Sequence, residues 1–321
     1  MKRGKRLALV TGGAGFIGSN LVRGLLKRRW SVRVLDNFST GMLHNIADLQ
    51  SRIEVIRGDI RTLSTCRRAV KGARTVFHLA ALPSVARSVE DPLSSNEVNV
   101  NGTLNLLEVA REHGVEGFVY SSSSSVYGDT PRLPKREKMK ETPLSPYAVS
   151  KVAAEKYCQA YTRLYGLRTV SLRYFNVYGP RQDPSSEYSA VIPKFITALL
   201  EGRQPEIYGD GKQTRDFTFI RDVVDANILA AASKSAAGSA VNIGTGSRCS
   251  LLRLVKVLNG LIGTGLPPRF APARPGDVLH SLAAVEQAEE AIGYRPRFSL
   301  EEGLQETIGY FRSLASAGRR R

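Results

Sequence analysis

Three glycines between an apolar run and a helical pattern constrain the start of this chain more than any other feature. Residues 7–10 are apolar and predict a buried strand, and residues 16–29 carry the apolar spacing of an amphipathic helix. In the intervening TGGAGFIG, one glycine permits a tight turn, one lets the backbone approach a pyrophosphate, and one lets helix and strand pack closely. The helix N-terminus then faces the phosphates. The segment therefore predicts a dinucleotide-binding βαβ unit with Gly12, Gly15 and Gly18.

The residue at the end of the second predicted strand indicates which dinucleotide binds. Residues 32–35 form that strand, and Asp36 follows it. A carboxylate there accepts hydrogen bonds from both hydroxyls of the adenosine ribose and repels a 2′-phosphate. The residues that come next, NFST, include no arginine. The sequence therefore favours NAD over NADP.

Apolar strands alternate with amphipathic helices, which is typical of an α/β fold whose parallel sheet is covered on both faces. The predicted fold class is a Rossmann-type doubly wound parallel sheet with a smaller C-terminal substrate-binding α/β domain. We expect residues 1–175 to form the NAD-binding domain, joined by a returning strand near 238–244, and residues 176–321 to form most of the substrate domain. Further strands are predicted at 53–56, 75–79, 117–120 and 169–173, and helices at 63–70, 98–112, 146–165, 192–201, 221–234 and 250–260.

The chain has 321 residues and a formal net charge of +17. Such a charge suits a nucleic acid, an anionic membrane surface or phosphorylated small molecules, or is only a solvated basic surface. Hydrophobic residues make up 42%, as in ordinary globular proteins. The cysteines lie far apart and predict neither disulfides nor a zinc site, and no apolar run suits a membrane span or a signal peptide. We therefore expect a cytoplasmic protein without a bound metal.

A tyrosine and a lysine four residues apart stand at the start of the helix predicted at 146–165. Tyr147 and Lys151 lie on one face of that helix. The reference pKa of a phenol is about 10, so a tyrosine can act as a base at neutral pH only if this pKa is lowered. A nearby ammonium and a positive nicotinamide ring are the charges that lower it. Ser123 follows the fifth strand, at the sheet edge where parallel sheets bind ligands. We predict that Ser123, Tyr147 and Lys151 form a catalytic group.

These residues and several longer motifs resemble those of an extended short-chain dehydrogenase/reductase, and within that superfamily a nucleotide-sugar 4-epimerase. The similarity runs over almost the full chain, from TGGAGFIG through HLAA, NVNGT, RYFNVYGP and GDGKQTRDF to RPGDVLHSLAAV and GYRPRFSLEEGL. Such enzymes invert C4 of a UDP-hexose by passing a hydride to tightly bound NAD and returning it to the opposite face of a 4-keto sugar. The resemblance implies the same reaction here, with the serine, tyrosine and lysine as its catalytic residues.

The resemblance also assigns residues to both ligands. For NAD it implies contacts from Gly12, Gly15, Phe16, Ile17, Gly18, Asp36, Asn37, Ser39, Gly41, Asp59, Ile60, Leu79, Ala80, Ala81, Asn99, Tyr147 and Lys151. For the UDP-sugar it implies Ser84, Ser123, Ser124, Tyr147, Asn176, Tyr208, Arg215, Arg274, Asp277 and Ser281. Among these, Arg215, Arg274 and Asp277 match residues that clamp UDP, and Tyr208 matches a position beside the uracil. Arg87 and Arg181 are further cations that suit a phosphate-binding cleft.

Two departures from the related sequences narrow the activity. Ser124 and Ser125 stand where 4,6-dehydratases carry Asp and Glu, so the resemblance disfavours elimination of water. Ser281 stands where epimerases restricted to unacetylated sugars carry tyrosine, and a small residue leaves room for an N-acetyl group on C2. The predicted substrates are UDP-GlcNAc and UDP-GalNAc, with UDP-Glc and UDP-Gal as a further pair. The alternatives are a UDP-glucose-only epimerase and a UDP-glucuronate 4-epimerase or decarboxylase.

The same resemblance predicts partners. The helices at 98–112 and 146–165 match those that pair subunits in relatives, which implies a homodimer with a four-helix interface. We expect no membrane partner and no nucleic acid. The charge of +17 suggests one alternative, a non-catalytic nucleic-acid-binding relative of this fold. Such proteins tend to lose the tyrosine and the lysine, and this chain carries both.

Overall fold

A parallel sheet organises the fold and confirms the predicted doubly wound architecture. The computed structural model describes residues 6–184, 191–273 and 278–318. The 7-stranded sheet has the order β11-β6-β5-β4-β1-β2-β3. Its members are β1 Leu7–Thr11, β2 Ser31–Asp36, β3 Ile53–Arg57, β4 Thr75–His78, β5 Gly117–Ser123, β6 Thr169–Tyr174 and β11 Ser239–Ile243. Short pairs lie outside it, formed by β7 Val177–Tyr178, β8 Glu206–Tyr208, β9 Thr214–Arg215, β10 Thr218–Phe219, β12 Cys249–Ser250 and β13 Arg269–Ala271.

Helices cover both faces of the sheet, and this burial explains why its strands are apolar on both sides. Strands β4 and β6 are buried at every position. The helices are α1 Phe16–Lys27, α2 Leu63–Val70, α3 Val85–Glu90, α4 Pro92–Asn96, α5 Gly102–Glu112, α6 Pro146–Tyr165, α7 Val191–Leu200, α8 Ile220–Ala232, α9 Leu251–Ile262, α10 Glu286–Ile292 and α11 Leu300–Gly318. All pairings in the sheet are parallel, so the strands deliver their carboxyl ends to one edge.

The sequence sets the ends of α6, the helix that carries Tyr147 and Lys151. The Ser145 hydroxyl accepts a hydrogen bond from the backbone N–H of Ala148 at 3.2 Å, and Pro146 occupies the first turn. Gly166 ends the helix in a left-handed conformation with φ +71°. The helix therefore starts immediately before Tyr147 and holds that side chain in its first turn.

Two predicted boundaries are wrong in ways that matter near the site. The helix predicted at 98–112 begins instead with a π-helical turn over Glu97–Asn101, and regular α5 starts only at Gly102. Strand β5 does not end at residue 120 but continues to Ser123, because its serines keep pairing with Leu172–Tyr174 of β6. The longer strand carries Ser123 to the edge of the sheet.

The late strand β11 returns to the large sheet, as predicted. It pairs in parallel with β6, from Ser239 beside Val170 to Ile243 beside Tyr174. Helix α8, which precedes it, packs on α1 so closely that a Cβ at Gly24 would lie 2.4 Å from the Val224 side chain. The N-terminal and C-terminal halves therefore share one core, and the domain boundary at 175/176 stays a prediction.

Within the described part of the chain, no helix combines the length and hydropathy needed to cross a membrane. Cys66, Cys158 and Cys249 are all buried and form no disulfide. The described residues also contain no group of three or more His, Cys, Asp or Glu side chains arranged to hold a metal ion.

Candidate active site

A cleft of about 1660 Å³ runs along the carboxyl edge of the sheet. The ends of β1, β2, β4, β5 and β6 contribute Gly12, Asp36, Leu79, Ser123 and Asn176 to its wall. Parallel sheets bind ligands at this edge because the crossover connections leave a crevice there. The predicted site residues can therefore meet although they are far apart in sequence.

The glycine turn forms the floor of one half of the cleft. A Cβ on Gly12, whose φ is +68°, would lie 2.7 Å from the backbone nitrogen of Ala80, and one on Gly18 would lie 2.1 Å from the Gly12 oxygen. A Cβ on Gly15 would meet only that same oxygen at 3.2 Å. Gly12 and Gly18 thus permit close packing, and Gly15 lies at the start of α1 beside the cleft. The arrangement fits a pyrophosphate approached by bare backbone.

Asp36 sits where the adenosine ribose is expected. Its carboxylate is 7% exposed and accepts the backbone N–H groups of Ala14 at 2.9 Å and Phe38 at 2.8 Å. Burial raises the pKa of this carboxyl, and the two backbone hydrogen bonds oppose that rise. Each carboxylate oxygen keeps accepting capacity for a ribose hydroxyl. Beside it, Asn37 donates to Asp59 at 2.9 Å, and hydrogen bonding from Arg61 is the main cause that lowers the pKa of Asp59 to about 2.

Most residues assigned to the cofactor line this cleft. They are Gly12, Gly15, Phe16, Ile17, Gly18, Asp36, Asn37, Ser39, Gly41, Asp59, Ile60, Leu79, Ala80, Ala81, Tyr147 and Lys151.

Asn99 was also predicted to line the cofactor, and the structure places it behind the cleft wall instead. Its side chain is 1% exposed, accepts the Leu82 backbone N–H at 2.9 Å and donates to the Leu82 carbonyl at 3.2 Å. It also donates to the Ser150 hydroxyl at 3.0 Å. Its polar groups are thus used to fix Leu82, which lines the cleft, against α6.

The serine, tyrosine and lysine meet in the middle of the cleft. Ser123 ends β5 and shares a side-chain hydrogen bond with Tyr147. The Tyr147 backbone N–H donates to the Ser88 hydroxyl at 3.0 Å. Lys151 Nζ donates to the Ser121 carbonyl at 2.8 Å and lies 5.7 Å from the centroid of the Tyr147 ring. The ammonium is therefore anchored to the strand and faces the phenol ring.

The predicted lowering of the tyrosine pKa does not come from the protein's own groups. Burial raises the pKa of Tyr147 to about 12, and the hydrogen bond from Ser123 only partly opposes this. Burial likewise lowers the pKa of Lys151 to about 8, with Glu155 acting in the opposite direction. Desolvation therefore disfavours the charged forms of both side chains. The positive nicotinamide ring of bound NAD would supply an additional charge that favours the phenolate.

The substrate half of the cleft faces this triad. Asn176 has φ +25° and its amide donates to the Asp216 carbonyl at 3.2 Å and to the Ser281 hydroxyl at 3.1 Å. Ser281 is 9% exposed and lines the cleft. Arg215 lines it too, with Nη1 donating to the Thr214 and Leu279 carbonyls at 3.0 Å. Ser84 and Ser124 complete the predicted set at the cleft, while Arg274 and Asp277 lie outside the described residues.

Tyr208 was predicted to join this set, but it lines a second cavity of about 520 Å³. That cavity lies between α7, β8 and the start of α9, and the Tyr208 hydroxyl donates to Glu206 at 2.7 Å. Asn176, Val177, Pro184 and Arg215 line both spaces, so the second cavity adjoins the substrate half of the cleft. A uracil ring held beside Tyr208 in the second cavity would therefore lie outside the main cleft.

Several cleft residues gave no sequence signal that identified them. Tyr310 and Leu314 come from the far end of α11, and Lys135 comes from the loop before α6. Gln182 follows the RYFNVYGP motif and the neighbouring Arg181. Only the closeness of Gln182 to that motif could have indicated a role, because the other three lie in segments whose pattern reads as ordinary surface.

The comparisons with known proteins agree with this geometry. The NAD dependent epimerase/dehydratase family matches residues 8–244. A UDP-glucose 4-epimerase of Mycolicibacterium smegmatis is 42% identical over 309 residues, covering 95% of this chain and 98% of that protein. The structure of a UDP-N-acetylglucosamine 4-epimerase from Methanobrevibacter ruminantium, in complex with UDP-N-acetylmuramic acid, is 38% identical with a TM-score of 0.93, covering 97% and 99%.

A second similar structure contains the cofactor. It is the Thermus thermophilus UDP-glucose 4-epimerase in complex with NAD, which is 39% identical with a TM-score of 0.86 and covers 95% of this chain and 99% of its own. The protein described here therefore belongs to the NAD-dependent epimerase/dehydratase family. It is an enzyme of the extended short-chain dehydrogenase/reductase type, and NAD is its cofactor.

Replacing Lys151 with methionine should stabilise the NAD-free protein at neutral pH. The pKa of Lys151 is lowered from 10.5 to about 8, so between those values the unfolded chain binds more protons and wild-type stability rises with pH. Lys151→Met should therefore raise the free energy of unfolding by about 1–3 kcal/mol at pH 7, and the gain should vanish above pH 10.5. Urea denaturation at pH 7 and pH 10.5 measures both values.

The matched control is Lys156→Met, on the same helix. Lys156 is exposed and paired with Glu141 at 2.9 Å, so its removal should change stability little at either pH. Equal effects of the two substitutions at pH 7 would contradict the assignment of Lys151 as a buried cation.

Proposed function

We propose that this enzyme is a UDP-sugar 4-epimerase that inverts C4 of UDP-N-acetylhexosamines, interconverting UDP-GlcNAc and UDP-GalNAc, and that it also accepts UDP-Glc and UDP-Gal. The observation that supports this most strongly is the meeting of Ser123, Tyr147 and Lys151 within one cleft. The glycine turn and Asp36 lie at one end of that cleft, and Asn176 and Ser281 lie at the other. A dinucleotide and a sugar nucleotide can therefore approach the same three side chains.

The chemistry assigns a task to each of the three residues. Tyr147 takes the proton from the C4 hydroxyl and later returns it, with Ser123 as a hydrogen-bonded bridge between phenol and substrate. Lys151 favours the deprotonated phenol by its charge and holds its place through the Ser121 carbonyl. When bound, NAD accepts the C4 hydride and returns it. Between the two hydride transfers, the 4-keto sugar must turn its opposite face toward the same residues, which requires that the UDP part stays fixed. We assign the binding of the UDP part to Arg215, which lines the cleft.

The residues after Ser123 support epimerisation over dehydration. Ser124 and Ser125 begin a short 3₁₀ turn over Ser124–Tyr127, and the Ser125 backbone N–H donates to the Ser123 hydroxyl at 3.2 Å. A serine hydroxyl has no acid or base function near neutral pH. Elimination of water would need such a group beside the sugar, so we assign no dehydratase activity to this cleft.

The choice of an N-acetylated sugar depends on Ser281. This small side chain lines the cleft and receives a hydrogen bond from Asn176, in a place where tyrosine would fill the space. The similarity to the Methanobrevibacter UDP-N-acetylglucosamine 4-epimerase supports the same choice. The comparable similarity to the Mycolicibacterium UDP-glucose 4-epimerase supports the unacetylated pair as further substrates. A UDP-glucuronate 4-epimerase is the alternative.

Replacing Tyr147 with phenylalanine should abolish turnover without loss of either ligand. We expect kcat to fall by about 10²- to 10⁴-fold, because the proton at C4 loses its acceptor. Product analysis by chromatography measures turnover, and calorimetry measures NAD and UDP binding. Tyr157→Phe, on an exposed part of the same helix, is the control. Turnover in Tyr147→Phe close to that of the control would refute the mechanism.

Replacing Ser281 with tyrosine should separate the two sugar classes. We expect kcat/KM for UDP-GlcNAc to fall by about 10- to 100-fold, because the larger ring overpacks the space for the N-acetyl group, and kcat/KM for UDP-Glc to change little. Ser281→Ala should keep both activities. An assay with all four UDP-sugars and with UDP-glucuronate measures this. Equal losses on UDP-GlcNAc and UDP-Glc, or turnover of the wild type with UDP-glucuronate alone, would contradict the substrate assignment.

We also propose that the enzyme is a homodimer formed through α5 and α6. An apolar stripe runs along one face of α6, with spacings of three and four residues. Three of its members are strongly exposed for apolar side chains, at 51% for Val149, 38% for Tyr157 and 68% for Leu164. Ala153 and Ala160 lie between them. A four-helix interface with a second copy would cover this stripe.

Replacing Tyr157 with glutamate should therefore shift the enzyme from dimer to monomer, because a charge would be buried at the centre of the stripe. Light scattering after gel filtration measures the mass. Leu252→Glu is the matched control, because Leu252 is also 38% exposed but lies on α9. A monomeric wild type, or a Tyr157→Glu variant that stays dimeric, would refute the proposed interface.

A further inference from the structure

Two arginines line the cleft beside the first turns of α1, and neither belongs to the glycine turn. Arg181 comes from the loop after β7 and has φ +72°, which is unfavourable for a residue with a side chain. Arg23 lies on α1, on the same face as Phe16 and Asn20. Of these two arginines, one comes from the N-terminal half of the chain and the other from the C-terminal half.

Arg181 is held in place by neutral groups. Its Nη1 donates to the Asn20 side-chain oxygen at 3.2 Å, and its guanidinium stacks over the Tyr310 ring of α11 at 5.6 Å from the centroid. In the described part of the chain, none of the ion pairs involves Arg181. A partly buried guanidinium therefore faces the cleft without a carboxylate in direct contact.

Arg23 adds a second positive charge at the same place. Its Nη2 pairs with Asp48 at 2.5 Å, but its Nη1 is buried and has no hydrogen-bond partner. Burial, and next the charge of Arg23, lower the pKa of Arg181, with weaker opposing effects from Tyr310, Asp48 and Glu306. Glu306 is itself paired with Arg221 at 2.8 Å. Within the described residues, Arg23 is therefore paired with one carboxylate, that of Asp48, and Arg181 is paired with none.

The position of this pair relative to α1 indicates which anion it meets. Asn20 Nδ2 donates both to the Phe16 carbonyl at 2.9 Å and to the Pro180 carbonyl at 3.0 Å. The Arg181 guanidinium, which donates to the Asn20 side-chain oxygen, thus lies beside the residue one helical turn after Phe16. Phe16, Ile17 and Gly18, at the start of α1, line the cleft. A pyrophosphate at that helix end would lie within reach of an arginine side chain.

We propose that Arg181, supported by Arg23, binds the pyrophosphate of NAD from the side opposite the glycine turn and is a determinant of how tightly the enzyme retains its cofactor. Guanidinium groups bind phosphate oxygens in pairs of parallel hydrogen bonds, and a partly dry site strengthens them. The proposed epimerisation gives this a purpose, because the hydride must return from the same cofactor. This proposal rests on the proposed epimerase activity. Because NAD binding is measured without turnover, a failure of the Arg181 proposal can be distinguished from a failure of the proposed activity.

The test measures ligand binding by calorimetry on protein from which NAD has been removed. Circular dichroism verifies that this protein is folded. In Arg181→Gln we expect the Kd for NAD and for ADP-ribose to rise by about 10- to 100-fold, as for loss of a charge-assisted hydrogen bond. The Kd for adenosine, which has no phosphate, should stay unchanged, as should the Kd for UDP. Arg181→Lys keeps the charge but not the planar fork and should give an intermediate value. Arg23→Gln should give a smaller rise.

Arg221→Gln is the matched control. The Arg221 guanidinium also stacks over an aromatic ring, that of Phe298, at the same 5.6 Å, but it is absent from the cleft lining. The Arg221→Gln variant should bind NAD as tightly as the wild type. If Arg181→Gln fails to fold, Arg181→Lys and Arg23→Gln carry the same comparison of ADP-ribose with adenosine. An unchanged Kd for ADP-ribose, an equal rise for adenosine, or a rise confined to UDP would overturn the proposal.

Discussion

A buried ion pair between α6 and β6 holds the wall behind the active site. Arg173 is 1% exposed and Glu155 is 0% exposed, and two guanidinium nitrogens donate to the carboxylate at 2.7 and 3.0 Å. The Ser122 hydroxyl donates to the same carboxylate, and Arg173 also reaches the Tyr127 hydroxyl at 2.9 Å. Removal of one partner would leave a buried charge uncompensated, an effect of about 3–5 kcal/mol. One interaction thus fixes the strand end before Ser123 and the helix that carries Tyr147.

The carboxylate of this pair also affects the pKa of Lys151. Glu155 lies one helical turn after Lys151, and its charge is the main influence opposing the desolvation of that ammonium. Arg173 is bound to the same carboxylate, so one buried acidic group faces two buried basic side chains. Burial thus disfavours the charged forms of both Tyr147 and Lys151, and the positive ring of bound NAD would favour the phenolate. In the proposed mechanism, cofactor binding would therefore strengthen the base.

The predicted site residues that the structure brings together at the cleft depend on local sequence patterns. The glycine turn, Asp36, Ser123 and the spacing of Tyr147 and Lys151 each follow from a strand or helix end, so a short motif locates them. The sequence could not show that Asn99 lies behind the cleft wall or that Tyr208 lines a second cavity, because the π turn and that cavity depend on distant packing. The sequence indicated the charges near Tyr147 but not the burial that raises its pKa. The stacking of Arg181 on Tyr310 joins residues with no common pattern and could only be seen in the fold.

The return of β11 to the sheet has a consequence for how the protein is made. Residues 239–243 leave the ribosome well after the first 175, so a nascent chain has β6 as an open edge while the segments from β7 to α8 are still being synthesised. An unpaired parallel edge is a template for wrong pairing with other chains. Correct biogenesis therefore depends on late residues closing an early sheet, and a nascent chain stalled before that strand would be a substrate for chaperones rather than a smaller working domain.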